Sequence, residues 1–261
     1  MNIAIIFAGG VGTRMSSKSK PKQFLQVHGK PIIAHTINAF ENADVIDGII
    51  VVMVKEGIKY THQIIQENSF KKVTAVIQGG KTGQQSIYFG LQKAKEIYGD
   101  NCLVLIHDGV RPIIDTELIE NNIFCAQKNG NAISGIKCIE TVITLDDNNT
   151  CADVVDRSKA WHARAPQTFF LKDILKAHKK AIKDNLEFVD SCTMMYHYGA
   201  KLNIIECKRN NIKVTTREDY TLVRAYYDLL EDNQFLNDYI EDKRILVSLD
   251  LKEERYEKHS V

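Results

Sequence analysis

Cysteine is sparse here and poorly placed for chemistry: Cys102, Cys125, Cys138, Cys151, Cys192 and Cys207 are scattered, and no CxxC pair occurs. That spacing argues against a zinc ribbon or a disulfide framework, and Cys102 and Cys125, in apolar periodic segments, are expected as free buried thiols. Long hydrophobic runs are also missing. The apolar stretch at 3–8 is interrupted by Gly9 and Gly10, far too early for a membrane span or a signal peptide. The expectation is a cytoplasmic protein with no membrane partner. Nor is there an excess of one charge sign, since 34 Lys and Arg against 33 Asp and Glu leave a formal +1. A global field for nucleic acid is therefore excluded, and any anion site has to be local. Internal repeats and low-complexity tracts are absent as well.

What is present is alternation. Short apolar runs take turns with helical patterns, the signature of a mostly parallel sheet covered by helices on both faces. Residues 2–7 (NIAIIF), 48–54 (GIIVVMV), 73–77 (VTAVI) and 102–108 (CLVLIHD) read as strands. Helices are expected from Pro31 to about Asn42, from Gln85 to Tyr98, and over about 116–128, 171–183 and 218–232. Residues 132–160 change character and read as strand, turn at Asp146–Asn149, strand: a hairpin inserted in an α/β domain. The expected organisation is one domain over 1–232 and a C-terminal extension over 233–261, whose alternating charge suggests no chemistry.

The stretch IIFAGGVGTRMSSKSKPKQF at 5–24 concentrates chemistry. It is neither a Walker A loop nor GxGxxG, because the glycines stand at 9, 10 and 12. Glycine there lets backbone N–H groups approach an anion, and Arg14 and Lys22 add the charges a phosphate needs. Taken alone, the loop is either a phosphate site or a glycine-rich turn with solvated lysines.

Further segments decide between these. AGGVGTRM is followed by KPKQFLQVHGKPII, then by Gly79-Gly80 with Ser86, HDGVRP at 107–112, VVDRSKAWHARAPQTF at 154–169 and NIKVTTREDY at 211–220. Over about residues 1–230 their order resembles two sister families of CTP-dependent cytidylyltransferases. One acts on methylerythritol phosphate in isoprenoid synthesis, the other on ribitol 5-phosphate in teichoic-acid and capsule synthesis. The resemblance implies a Rossmann-like nucleotidyltransferase fold and CMP transfer from CTP to a small phosphate. In its terms Ala8, Gly9, Gly10, Gly12 and Thr13 wrap the nucleotide, and Gly79, Gly80 and Ser86 select the pyrimidine. Arg14, Lys22 and Lys213 stabilise the phosphates. Asp108 holds magnesium and faces the second substrate, with Asp219 as a further candidate metal ligand. Arg111, Thr141 and Arg157 contact the second substrate, the last two from a hairpin that serves a neighbouring subunit of a homodimer. The nucleophile is the substrate's own ionised phosphate oxygen, so no Ser/His/Asp arrangement is needed and His107 is a structural neighbour of Asp108.

This chain departs from the family pattern in places. Ala165 and Val189 stand where threonines are usual, and KTGQQS at 81–86 lacks the usual acidic-arginine pair. PKQFLQVHGKPII and Thr215-Thr216 look closer to the ribitol-phosphate enzymes, whereas Trp161-His162 and the VDR at 155–157 look closer to the methylerythritol enzymes. The expected substrate is D-ribitol 5-phosphate, giving CDP-ribitol and pyrophosphate for surface polysaccharide. The alternatives are methylerythritol phosphate and, in a different class, a non-catalytic nucleotide-binding protein on the same fold.

Overall fold

A computed structural model describes residues 1–9 and 21–232. Its frame is a seven-stranded sheet built around β1 (Asn2–Ala8). After β1 come the two-residue strands β2 (Gln26–Val27) and β3 (Lys30–Pro31), which pair as a small ribbon, and then α1 (Ile32–Glu41). β4 (Gly48–Met53), α2 (Ile58–Glu67) and β5 (Val73–Gln78) extend the sheet to one side. α3 (Gly83–Tyr98) carries the chain back to β6 (Leu103–Asp108) on the opposite side of β1. α4 (Thr116–Asn129), β7 (Asn131–Lys137), β8 (Val142–Leu145), β9 (Cys151–Val155) and β10 (Trp161–Phe170) follow. The described chain then forms α5 (Leu171–Asp184), α6 (Ser191–His197), β11 (Ile204–Glu206) and a helix over 217–232.

The strand order is β11-β7-β10-β6-β1-β4-β5, and only β10 runs antiparallel to its neighbours. β1, β4 and β6 are almost wholly apolar because both their faces are covered, as parallel sheets require. Alternate residues of β1 divide between two cores. Ala4 and Ile6 pack with Ile33, Ile37 and Phe40 of α1 and Ile119 of α4, whereas Ile3 and Ile5 pack with Ile87 and Leu91 of α3 and Ile174 of α5. Side-chain caps set the starts of three helices: Thr82 accepts from Gln85 N, Asp115 from Leu118 N and Asp190 from Thr193 N. Strand order reverses at β1, and the carboxyl ends of β1, β4, β5 and β6 open together into a crevice, where doubly wound folds bind ligands.

The extent of the inserted hairpin needs correction. Residues 131–137 are not a limb of the inserted hairpin: β7 is a buried strand of the main sheet, between β10 and β11. The hairpin proper is β8 and β9, a separate two-stranded sheet with the expected turn between them. α2, β10, α6 and β11 were not foreseen. The cysteines are free thiols, with Cys102 and Cys125 buried as expected. Among the described residues no helix is long and apolar enough to cross a membrane. Gly10, Gly12, Thr13 and Arg14, like the 233–261 extension, lie outside the described residues.

Candidate active site

Two clefts open at this crevice and share a wall. The first, of about 290 Å³, is lined by Ala8, Gly9, Lys22, Gly80, Ser86 and neighbours; the second, of about 360 Å³, by Arg111, Arg164, Ala165, Gln167, Val189 and others. Phe7, Gly83, Asp108 and Lys213 line both. Four of the nucleotide-site expectations meet at the first cleft, where Gly80 N–H donates to Ser86 Oγ (3.1 Å) and Ser86 Oγ donates to Thr82 O (2.9 Å). Gly79 closes the group from behind: a methyl there would sit 2.8 Å from Ser86 Oγ, so only glycine lets β5 end so near α3.

Lys22 starts a single helical turn, Lys22–Phe24, directly after Pro21. That turn is pinned to the end of β1 because the buried Gln23 donates from Nε2 to Ala8 O (3.1 Å). Lys22 Nζ in turn donates to Val214 O (3.1 Å), which brings it beside Lys213 across a sequence separation no local pattern reveals.

Asp108 ends β6 with its side chain only 8% exposed. Oδ1 accepts from Lys213 Nζ (2.6 Å), and Oδ2 accepts from Arg111 Nε (3.3 Å) and Nη2 (3.2 Å). Burial by itself would raise this carboxyl, but Lys213 and Arg111 outweigh it and hold it below the ordinary carboxylate value. Arg111, equally buried, also donates through Nη1 to the backbone oxygen (2.7 Å) and Oδ1 (3.1 Å) of Asn211. Arg164 donates to the same Asn211 carbonyl. Burial and then the adjacent Arg111 lower the Arg164 guanidinium. His107 is fully buried against Phe40 and donates from Nε2 to Arg111 O (3.0 Å); burial lowers it to about 4, so it is a neutral structural group.

Arg164, Gln167 and Asp190 were missed by sequence reasoning. The signal was faint: a polar cluster in HARAPQ and an aspartate before a helical patch. Gln167 joins the two, donating from Nε2 to Asp190 Oδ2 (3.3 Å) and accepting from Cys192 N–H (2.9 Å). Ala165 and the 98% exposed Val189, the two departures from the family's threonines, line this same second cleft. Two further polar groups on its wall, His178 and Ser191, are buried with no hydrogen-bond partner for either ring nitrogen or for the hydroxyl. A buried polar group left so costs about 1–3 kcal/mol.

Three expected site residues are elsewhere. Thr141 and Arg157 are exposed on the hairpin and line neither cleft; Arg157 Nη1 donates to Ile139 O (3.1 Å). Asp219 lines neither cleft. Its Oδ2 accepts from Thr215 N (2.8 Å), Thr215 Oγ1 (2.6 Å) and Thr216 N (2.8 Å), while its own N–H donates to Thr216 Oγ1 (3.2 Å). That reciprocal pattern caps the 217–232 helix and fixes the segment after Lys213. Asp219→Ala is therefore expected to cost about 1 kcal/mol of stability in denaturant unfolding and to leave any metal dependence of turnover unchanged; a raised metal requirement would return Asp219 to the metal-binding role.

The arrangement suits phosphoryl chemistry: two adjoining clefts with cations on their common rim. Comparison with known proteins agrees. Residues 2–228 match the family described as 2-C-methyl-D-erythritol 4-phosphate cytidylyltransferase (IspD). The chain is 45% identical over 235 residues to the ribitol-5-phosphate cytidylyltransferase of Streptococcus agalactiae serotype III (strain NEM316), covering 90% of this chain and 98% of the relative. It is 37% identical over 219 residues to the 2-C-methyl-D-erythritol 4-phosphate cytidylyltransferase of Clostridium novyi (strain NT), covering 84% and 93%. The crystal structure of 4-diphosphocytidyl-2C-methyl-D-erythritol synthase from Anaerococcus prevotii DSM 20548 is similar with a TM-score of 0.76 and 27% identity, over 87% of this chain and 96% of that one. A match this long, on a fold and cleft of this kind, means that the chain belongs to the 2-C-methyl-D-erythritol 4-phosphate cytidylyltransferase family of nucleotidyltransferases.

Proposed function

We propose that this enzyme transfers CMP from CTP to D-ribitol 5-phosphate, forming CDP-ribitol and pyrophosphate. The observation that carries the reaction is Asp108, held between Lys213 and Arg111 on the wall common to both clefts. The first cleft takes CTP, with Ala8, Gly9, Gly79, Gly80 and Ser86 around the nucleotide and Lys22 at its phosphates. The second takes the polyol phosphate, with Arg111 and Arg164 on its phosphate group. A phosphate oxygen of the acceptor attacks the α-phosphorus of CTP in line; the new P–O bond forms as the bond to the β-phosphate bridging oxygen breaks, and pyrophosphate leaves with the electron pair. No base is required, because a phosphate monoester with a second pKa near ~6 is already ionised. Lys22 and Lys213 neutralise the charge that builds on the α-phosphate and the leaving group.

A divalent cation fits this donor set. Among the described residues no group of three or more His, Cys, Asp or Glu could hold a metal, but magnesium is commonly bound by one carboxylate, substrate phosphates and water. Asp108 is the carboxylate on the shared wall, and its two oxygens have lone pairs beyond those met by Lys213 and Arg111. The ion would add electrostatic stabilisation of the phosphates.

The choice of ribitol phosphate rests on the higher identity to relatives named for it, 45% against 37% for those named for methylerythritol phosphate. Thr141 and Arg157, which line neither cleft of their own chain and flank a hairpin with exposed Ile143, Leu145 and Val154, suit a homodimer in which each arm reaches the partner's second cleft. The product would feed surface-polysaccharide synthesis. Pyrophosphate release from CTP and magnesium with a panel of polyol phosphates is expected to be fastest with D-ribitol 5-phosphate, to stop on chelation with EDTA and to return with added magnesium. Faster turnover of methylerythritol phosphate would overturn the substrate assignment, and EDTA-insensitive turnover the metal.

A further inference from the structure

The segment KTGQQS at 81–86, which departs from the family pattern, lies where the two clefts meet. Gly83 lines both clefts and opens α3 behind the Thr82 cap. The two glutamines that follow point their amides to different partners. Gln85 stays on the nucleotide side: its Oε1 accepts from Lys81 N (2.8 Å), and its N–H donates to Thr82 Oγ1 (3.2 Å). That pattern is close to a capping box and joins residues of one turn. Gln84 reaches the other way, across 102 and 104 positions. Its Nε2 donates to Leu186 O (3.2 Å), and its Oε1 accepts from Phe188 N–H (2.7 Å).

We propose that Gln84 is a positioning residue for the acceptor: it ties the 186–190 segment of the second cleft to the helical turn that borders the nucleotide cleft. This rests on the assignment of the second cleft to the acceptor. The segment links α5 to α6 and starts where Asn185 ends α5 in the left-handed conformation, at φ 53°. Among the described residues no other hydrogen bond reaches the backbone of 187–189. The Phe188 ring rests on His197 and Tyr198, with centroids 5.1 and 5.9 Å apart. Ring contacts tolerate sliding, whereas two hydrogen bonds from one planar amide set position and direction together. A primary amide suits the place because it carries a donor and an acceptor side by side. It can therefore meet a carbonyl and an N–H two residues apart, as a neighbouring strand would. Val189 and Asp190 follow directly and line the second cleft with Arg111 and Arg164. Asp190 is fixed separately, by Thr193 N–H (2.7 Å) and Gln167 Nε2 (3.3 Å), so loss of the Gln84 bonds loosens only the stretch before it and the fold survives. Misplacing part of a site by about 1 Å can cost up to ~10²-fold in rate.

The test compares the full chain with its Gln84→Met variant, which keeps the length of the side chain and removes the amide. With CTP and D-ribitol 5-phosphate, kcat/KM for the acceptor is expected to fall roughly tenfold, chiefly through KM, while KM for CTP stays within about twofold. A merely structural loss would lower the active fraction and leave both KM values in place. Hydrogen exchange without substrates gives the second measurement: the 186–190 segment should exchange faster in the variant, while β6 and α5 keep their protection. Faster exchange with an unchanged acceptor KM, unchanged exchange, or an equal rise in both KM values would each overturn the proposal and leave the assignment of the clefts standing. If the wild-type enzyme turns over another polyol phosphate but not ribitol 5-phosphate, the substrate assignment fails, and the same comparison on that acceptor decides the role of Gln84. Turnover of no polyol phosphate at all overturns both.

Discussion

Replacing Lys22 with alanine is expected to lower turnover roughly 10²–10³-fold while the protein remains folded, the loss typical of removing one preorganised donor from a developing oxyanion. Folding should survive because Lys22 contributes little to the apolar core: Gln23 and Phe24 are the buried members of its turn, and Gln23 makes the anchoring bond to Ala8. The side chain lines the first cleft and donates to Val214 O, the residue next in sequence to Lys213. In the proposed reaction the two cations share one phosphate group and act as a unit, so Lys22→Ala combined with Lys213→Ala should lose less than the product of the single losses. Lys22→Arg should recover part of the rate, since the charge returns with altered geometry. Single-turnover rates with saturating CTP separate these effects from binding. A loss of only twofold would reduce Lys22 to a solvated charge that happens to meet a carbonyl.

Asp108→Asn is expected to cost about 3 kcal/mol of stability as well as most of the activity, because it leaves the buried Arg111 without its counter-charge. Lys213, 42% exposed, can turn to water, but Arg111 is buried and stays bonded to Asn211, so its charge remains inside the protein. Chemical denaturation measures this directly, and a loss below about 1 kcal/mol would show that the pair is not a structural keystone. pH gives a second reading. The folded carboxyl lies below its ordinary value of 3.8, so its contribution is complete above that value and is lost as pH falls below it towards the depressed folded pKa. The wild type should therefore lose stability to acid in this window, and Asp108→Asn should lose less there.

How much of this was legible in the chain varies with the kind of signal. β1, β4, β5, β6, α1, α3, α4 and α5 could be read to within a few residues, because continuous apolar runs and helical stripes are local patterns. β10 could not. Its segment WHARAPQTFF contains a proline and two charge-bearing positions, and it enters the sheet only through a register shift between Ala163 and Gln167 against β7. β7 looked like half of a hairpin because β8 and β9 follow it, yet it is held in the main sheet by β10 and by β11, which lies far along the sequence. α6 is too short, at 7 residues, for its periodicity to stand out.

The candidate site divides in the same way. Glycines near strand ends, a lysine after a proline and an aspartate closing an apolar run are local statements; Lys22 drew notice on those grounds, while Gly79, Gly80, Ser86, Asp108, Arg111 and Lys213 were named by the resemblance of their order to a known family. What the sequence determined is the set of groups and the doubly wound frame that collects them, because strand and helix periodicities follow from side chains a few residues apart. Only the tertiary structure decided that Lys22 bonds beside Lys213, that Asp219 caps a helix, and that His178 sits on a cleft wall without a partner. The bond from Lys22 to Val214 joins residues 192 positions apart. Such contacts arise from packing, which no local pattern encodes.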